Sequence, residues 1–267
     1  WALLWKQHLL LRKHALGSFR TLLQEITVDP AMLWYLDGNG STAAAPNENY
    51  GRELMELFAL GRGNYTEADV QAAAYALSGW RLDKATGTAR FYPARGPATA
   101  VTLLGRSVRS TTEVVDTVLA QPACAPWIAG KLYAYLAGVP PTDETRDRLA
   151  TTFRAGGLEI RPLVTAILAD PAFPSMRQNR PRYPVEWLVA AVTATGVAPT
   201  SAAQSFVQRA GQVPFRPPNV AGWPATQDWL APSLALARAA VSAQAPGLDA
   251  IAGAADPVAA ALERCSL

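Results

Sequence analysis

One segment of the chain concentrates the residue types that could carry acid–base chemistry. Residues 47–60 read NENYGRELMELFAL. On a helix of 3.6 residues per turn, this segment has a polar face made of Glu48, Asn49, Arg52, Glu53 and Glu56. Glu53 and Glu56 lie three residues apart, a spacing that suits a general acid and base or two ligands of a hard metal ion, with Arg52 keeping one carboxylate ionised. We therefore predict Glu53 and Glu56 as catalytic candidates.

The same polar face also has a purely structural interpretation. Arg52 lies four residues from both Glu48 and Glu56, and an ion pair at this spacing stabilises an exposed helix by about 0.2–0.5 kcal/mol. The opposite face carries Tyr50 and Leu54, as in an ordinary amphipathic helix. From the sequence, both interpretations stay open.

Several polar and aromatic residues are candidates for ligand binding. We predict this role for His14, Asn47, Asn49, Arg52, Trp80 and Trp223. The two tryptophans lie near turns, where an indole face could stack on a sugar ring, although a loop tryptophan also often packs against proline-rich backbone. By contrast, apolar helical patterns surround four others and predict core positions: Trp5, Trp34, Trp127 and Trp187.

Other chemistries lack their sequence signatures. There is no His-Glu-x-x-His pair, nucleophile elbow, phosphate loop or dinucleotide fingerprint, so we predict neither a metal nor a cofactor. The net charge is +3 without a basic block, which argues against nucleic-acid binding. Apolar runs fall short of the roughly 20 residues of a membrane span. Cys124 and Cys265 are the two cysteines, and their spacing does not decide whether they pair.

The composition and the turn signals predict an all-α fold. Alanine and leucine dominate, and few β-branched runs interrupt them. We expect a single helical domain over residues 1–267 with a tail at 245–267 that frays, and one short β-hairpin near residues 89–104. Gly61 should end the helix that begins at Asn47, and Thr66 with Asp69 resembles a capping box that opens the next helix.

Six segments together resemble a bacterial family called "domain of unknown function 1800". The longest is NENYGRELMELFALG at residues 47–61, which continues as GNYTEADV at 63–70 and ends in LSGW at 77–80. Three more agree in the same order along the chain: HALGSFR at 14–20, DPAMLWYLD at 29–37 and PPNVAGWP at 217–224. The matches span nearly the whole chain, so the resemblance is specific.

The resemblance implies an exported protein, periplasmic or extracellular, often encoded beside an exported family related to sulfatases. That neighbour is the partner we expect. Relative to the family pattern, we expect the chain to lack the N-terminal helical region, and the stretch between His8 and His14 is short. Phe58 stands where one branch of the family has a histidine, which removes a potential metal ligand.

Two functions follow from these observations. The first is a non-catalytic binding or assembly protein of the bacterial cell envelope, which predicts an exposed apolar or aromatic patch. The second is a carboxylate-dependent hydrolase that acts on an envelope polymer through Glu53 and Glu56. It predicts that one of these carboxylates lies in a concave pocket with a raised pKa.

Overall fold

The chain is organised into two compact units, each with its own core. The computed structural model describes residues 1–176, 179–195, 201–224 and 226–236. Unit 1 comprises Trp1–Leu136 and Pro140–Ser175, and unit 2 comprises Ala137–Val139 together with the described residues from Met176 onward. Helices dominate both units, which confirms the all-α prediction. That the chain is a single domain stays a prediction.

Nine α-helices and two small hairpins are described in unit 1. The helices are α1 (Ala2–His14), α2 (Phe19–Thr27), α3 (Pro30–Tyr35), α4 (Asn49–Glu53), α5 (Glu67–Ala76), α6 (Thr111–Leu119), α7 (Cys124–Ala137, whose last residue belongs to unit 2), α8 (Asp143–Ala155) and α9 (Ile160–Leu168). Their apolar faces enclose buried side chains such as Leu54, Val70, Phe153 and Leu163. Helix α5 packs against α4 and α6, and this arrangement supports the segment that carries the predicted site.

The caps of these helices follow the sequence signals. Thr66 accepts a hydrogen bond from the backbone N–H of Asp69, whose carboxylate accepts one from the backbone N–H of Thr66, so the capping box is formed. Asp29 caps α3 by accepting from the N–H of Met32 at 3.0 Å. Gly61 takes a positive φ of 81° after the predicted helix. Local chemistry is enough to set these boundaries.

Two hairpins occur where the sequence predicted one. Strand β1 (Trp80–Asp83) pairs with β2 (Thr88–Phe91), and β3 (Val101–Leu103) pairs with β4 (Arg106–Val108). The two predicted strand segments therefore each pair with a neighbour rather than with each other. The second hairpin closes through Leu104 and Gly105, both at positive φ, as a two-residue turn of this kind requires. Leucine rarely adopts that conformation, and this turn gave no sequence signal.

The predicted helix over residues 47–60 is not α-helical throughout. Helix α4 ends at Glu53, and Leu54–Ala59 form a π-helix. In an α-helix the N–H of Gly61 would donate to the carbonyl of Leu57, but it donates to the Met55 carbonyl at 3.1 Å. The Leu57 carbonyl instead accepts from Trp127 Nε1 at 3.2 Å and Lys131 Nζ at 2.8 Å, both on α7. Side chains about 70 residues away thus replace its intrahelical donor.

Unit 2 contains α10 (Pro184–Thr195) and α11 (Ser201–Arg209), followed by a proline-rich loop. Its core is formed by Phe206, Val207, Ala210, Trp229 and Leu234. Trp229 donates its indole N–H to the carbonyl of Pro224 at 3.1 Å, so here a tryptophan does pin proline-rich backbone. The predicted frayed tail and Cys265 lie outside the described residues. Among the helices that the structure describes, none has the length and hydropathy needed to cross a bilayer.

Candidate functional site

Arg52 is the centre of an ion-pair network between α4 and α5. Its guanidinium donates to both carboxylate oxygens of Glu67, at 2.9 and 2.5 Å, and to Glu48 at 3.2 Å. The Glu67 contact is the main cause that raises the pKa of Arg52 and lowers that of Glu67. The expected i,i+4 pair with Glu48 is therefore present. The guanidinium pairs with neither Glu53 nor Glu56.

Glu56 is held by the chain that follows Gly61. Arg62 Nε donates to one oxygen of its carboxylate at 2.5 Å, and the Tyr65 hydroxyl donates to the other at 2.8 Å. The Glu56 side chain is only 16% exposed, whereas that of Arg62 is 87% exposed. The Arg62 hydrogen bond and then the Tyr65 one lower the pKa of Glu56. In turn, burial and this hydrogen bond raise the pKa of Tyr65 to about 12. The Glu56 carboxylate is thus ionised and occupied.

Glu53 has the opposite electrostatic environment. Its side chain is half-buried, and burial raises the pKa of its carboxyl, with the negative charge of Glu56 adding to the effect. Among the described residues, no hydrogen bond or ion pair engages the Glu53 carboxylate. Neighbouring carboxyl groups whose pKa values are moved in opposite directions are a known feature of acid–base pairs. Glu53 and Glu56 therefore differ in protonation preference although they share one helical segment.

The polar residues at the start of α4 have structural partners. Asn47 Oδ1 accepts from the backbone N–H of Asn49 at 2.9 Å and so helps to begin the helix, while Asn49 is exposed.

His14 is buried at the end of α1, with its Nε2 atom 3.0 Å from the carboxylate of Glu25. The structure therefore places His14 beside Glu25 of α2 and not in the α4 network.

The structure gives the surroundings of the six tryptophans named from the sequence. Trp80 donates its N–H to Thr111 Oγ1 at 2.9 Å and packs on Phe91. Trp223 packs half-buried against the core of unit 2. The prediction that Trp5 and Trp34 lie in the core is wrong, because they are 54% and 58% exposed.

The reason is local in both cases. The large buried side chains of this segment are Leu33 and Leu36. Trp34 lies about 100° from the first and about 160° from the second around the helix axis, so it faces outward. Trp5 stacks on His8 of its own helix, with 5.2 Å between the ring centres. Trp127 and Trp187 are half-buried.

A cleft of about 540 Å³ lies beside Trp34, within the range of about 300–1,000 Å³ that is typical of small-molecule sites. We call it the loop cleft, since most of its wall belongs to the loop between α3 and α4. It is lined by Trp34, Asp37, Asn39, Gly40, Ser41, Ala45, Pro46 and Asn47. Of the predicted binding residues, only Asn47 is in this lining. Glu53 and Glu56 are outside it.

The family model described as "Protein of unknown function (DUF1800)" matches residues 1–265. The chain belongs to the DUF1800 family. Neither the curated proteins nor the solved structures contain a match to it. Membership of DUF1800 confirms the resemblance seen in the sequence, and it assigns no activity.

Sequence reasoning missed the residues that complete this DUF1800 site. Arg62, Tyr65 and Glu67 follow the predicted helix, and each binds a member of its polar face. The sequence signal for these contacts is Gly61. A glycine that ends one helix, followed within a few residues by the capping box of the next, indicates a tight turn that brings the following residues close to the first helix. In the part of the chain that the structure describes, no group of three His, Cys, Asp or Glu side chains is arranged to hold a metal ion.

Proposed function

We propose that this DUF1800 chain is a non-catalytic binding protein of the bacterial cell envelope, exported to the periplasm or the cell exterior. The observation that carries the proposal is the separation of the loop cleft from the carboxylate pair. The cleft lining has one tryptophan, amide and hydroxyl side chains and the carboxylate of Asp37, and contains neither Glu53 nor Glu56. Such a lining can hold a ligand through stacking and hydrogen bonds, and it offers no second carboxyl group to act on one.

The occupied state of Glu56 supports the same proposal. A general base works best with a pKa near the operating pH, and the contacts of Glu56 lower its pKa instead. Both oxygens of Glu56 already accept a hydrogen bond, one from Arg62 and one from Tyr65. The ion pair with Arg62 and the hydrogen bond from the Tyr65 hydroxyl favour a structural role, in which Glu56 attaches the π-helix to the loop after it.

An exposed apolar stripe provides a surface for a protein partner. Trp1, Trp5 and Leu9 follow one another at intervals of four residues and are 74%, 54% and 48% exposed. Contiguous exposed apolar side chains often mark interaction surfaces. The sulfatase-related exported protein implied by the family resemblance is our candidate partner for this stripe.

A carboxylate-dependent hydrolase is the second candidate. It is favoured by the opposite directions in which the pKa values of Glu53 and Glu56 are moved. In that reaction Glu53, the carboxyl with the raised pKa, would be the proton donor, and Glu56 would be the ionised partner.

One experiment separates the two candidates. The purified chain is incubated with isolated bacterial envelopes and with purified peptidoglycan, and both the pelleted protein and the released soluble fragments are measured. We expect the wild type, Glu53→Gln and Glu56→Gln to co-sediment equally and to release nothing. Glu48→Gln is the matched control, because Glu48 lies on the same face outside the pair. Fragments released by the wild type and by Glu48→Gln, and lost in Glu53→Gln, would establish the hydrolase instead.

A further inference from the structure

The loop cleft is held in shape by bonds from outside the loop. The backbone N–H of Leu82 donates to Asn39 Oδ1 at 2.6 Å, and the N–H of Gly79 donates to the Ser41 carbonyl at 3.2 Å. On the other side, the N–H of Ala43 donates to the carbonyl of Arg95 at 2.8 Å. The loop is thus attached to β1 and to the turn after β2. A cleft shaped in advance loses little conformational entropy when a ligand enters.

Three polar side chains in this wall keep groups free for a ligand. Asn39 and Asn47 each use their Oδ1 atom inside the protein, and among the described residues neither Nδ2 group has a partner. The carboxylate of Asp37 likewise has no partner within the described part of the chain. The cleft therefore presents two amide donors and one strong acceptor. Asp37 itself takes a left-handed backbone conformation, with φ at 57°, where it opens the turn Gly38–Gly40.

Trp34 adds a flat apolar surface to the same cleft. Its indole is 58% exposed although it lines a concave wall. Lys84 Nζ lies 5.5 Å from the ring centre, so this cation occupies at most one face of the indole. The other face can pack against a ring of similar size, and an exposed tryptophan beside unpaired polar groups suits a ligand that is apolar on its faces and polar at its edges.

We propose that the loop cleft binds a neutral saccharide. One pyranose ring stacks its C–H face on Trp34, its hydroxyl groups donate to Asp37, and they accept from Asn39 and Asn47. A neutral ligand is favoured because Asp37 is the charged side chain in the lining and repels an anion. The two cations beside the cleft already have contacts: the Arg95 guanidinium donates to the Gly40 carbonyl at 3.4 Å, and Lys84 lies over the indole. The inference rests on the proposed binding function and names the class of envelope component that the cleft takes.

The test titrates the full chain with three neutral trisaccharides, namely triacetylchitotriose, cellotriose and maltotriose, and with the anionic trigalacturonate. Calorimetry and saturation-transfer NMR measure binding. We expect at least one neutral trisaccharide to bind with millimolar or better affinity, and trigalacturonate to bind at least tenfold more weakly. Trp34→Ala should reduce the affinity at least tenfold, whereas Trp34→Phe keeps an aromatic face and should lose less.

Two further variants distinguish a loss of ligand contacts from a loss of folded protein. Asn39→Asp keeps the oxygen that accepts from Leu82 and replaces the Nδ2 donor with a negatively charged oxygen that cannot donate, so it should weaken binding severalfold while circular dichroism stays unchanged. Tyr135→Ala is the matched control, since it removes an exposed aromatic side chain that lies outside the cleft lining and outside the apolar stripe. It should bind like the wild type.

Each alternative result has a definite meaning. No binding of any neutral trisaccharide, an affinity that Trp34→Ala leaves unchanged, or tighter binding of trigalacturonate would overturn the saccharide assignment. If envelope co-sedimentation persists in that case, the proposed binding function stands without it. Trisaccharide binding that depends on Trp34, combined with no envelope co-sedimentation, would instead keep the assignment and reject the envelope role.

Discussion

Glu53 is a half-buried carboxyl without a partner among the described residues, and its effect on stability depends on pH. Its folded-state pKa is raised above the ordinary value of 4.5, chiefly by burial. Its contribution to stability is therefore fully present below that value and is lost as the pH rises through the raised pKa. We expect Glu53→Gln to be more stable than the wild type at pH 7 and equal to it near pH 4. Urea unfolding at both pH values measures this. Lower stability of the variant at pH 7 would show a favourable contact of the ionised group.

Replacing Glu56 by glutamine should change the stability at pH 7 in the opposite direction from Glu53→Gln. Arg62 and Tyr65 lower its pKa, so its contribution is present above the ordinary value of 4.5 and is lost as the pH falls through the lowered pKa. Glu56→Gln should therefore have a lower midpoint of thermal unfolding at pH 7, with the difference shrinking on acidification. Added salt should reduce the effect, because Arg62 is exposed. If the variant unfolds at the wild-type temperature at pH 7, the Arg62 and Tyr65 contacts do not stabilise the fold.

At the level of elements, the π-helix depends on donors from α7. Trp127→Phe removes the indole N–H that reaches the Leu57 carbonyl, and Lys131→Met removes the ammonium while keeping most of its apolar stem. Each single variant should lose about 0.5–1.5 kcal/mol of unfolding free energy. The double variant should lose more than the sum, since one donor still satisfies the carbonyl in each single variant and none does in the double. A double-mutant cycle by urea unfolding measures the coupling. Additive losses would mean that the two bonds act independently.

The elements that the sequence predicts correctly are those set by neighbouring residues. The capping box of Thr66 and Asp69 and the stop at Gly61 involve residues within one turn, so their chemistry is visible in the sequence. The π-helix is not visible, because it depends on Trp127 and Lys131 far along the chain. The hairpins are misassigned because Leu104 adopts a conformation that its type disfavours.

The candidate site also divides into contacts between neighbouring residues, which the sequence predicts, and contacts that depend on how the chain folds, which it does not. Spacing correctly groups Glu48 and Arg52 as an i,i+4 pair, but Arg62 and Tyr65 reach Glu56 only because the chain turns after Gly61. Trp34 looks like a core residue in an apolar run. It is exposed because Leu33 and Leu36 take the buried side of this short helix, and an apolar run of six residues does not show which side that is.

For the whole molecule, the prediction concerns whether the two compact units unfold in one transition or in two. The backbone passes between them three times, after Leu136, Val139 and Ser175. The short segment Ala137–Val139 belongs to unit 2, whereas the residues directly before and after it belong to unit 1. Gly138 in this segment has φ at 80°, and a Cβ there would lie 2.7 Å from the backbone N of Arg180. Loss of structure in unit 2 therefore releases the end of α7, and we expect one cooperative transition.

Two core substitutions test this cooperativity. Phe206 in unit 2 and Phe153 in unit 1 are both fully buried, and replacing either by alanine should cost about 3–5 kcal/mol. If the chain is a single domain, calorimetry shows one transition, and both Phe206→Ala and Phe153→Ala move it to lower temperature. Two transitions, with each variant moving only one of them, would instead make each unit an independent domain, because separate cores that unfold separately share no cooperative interface.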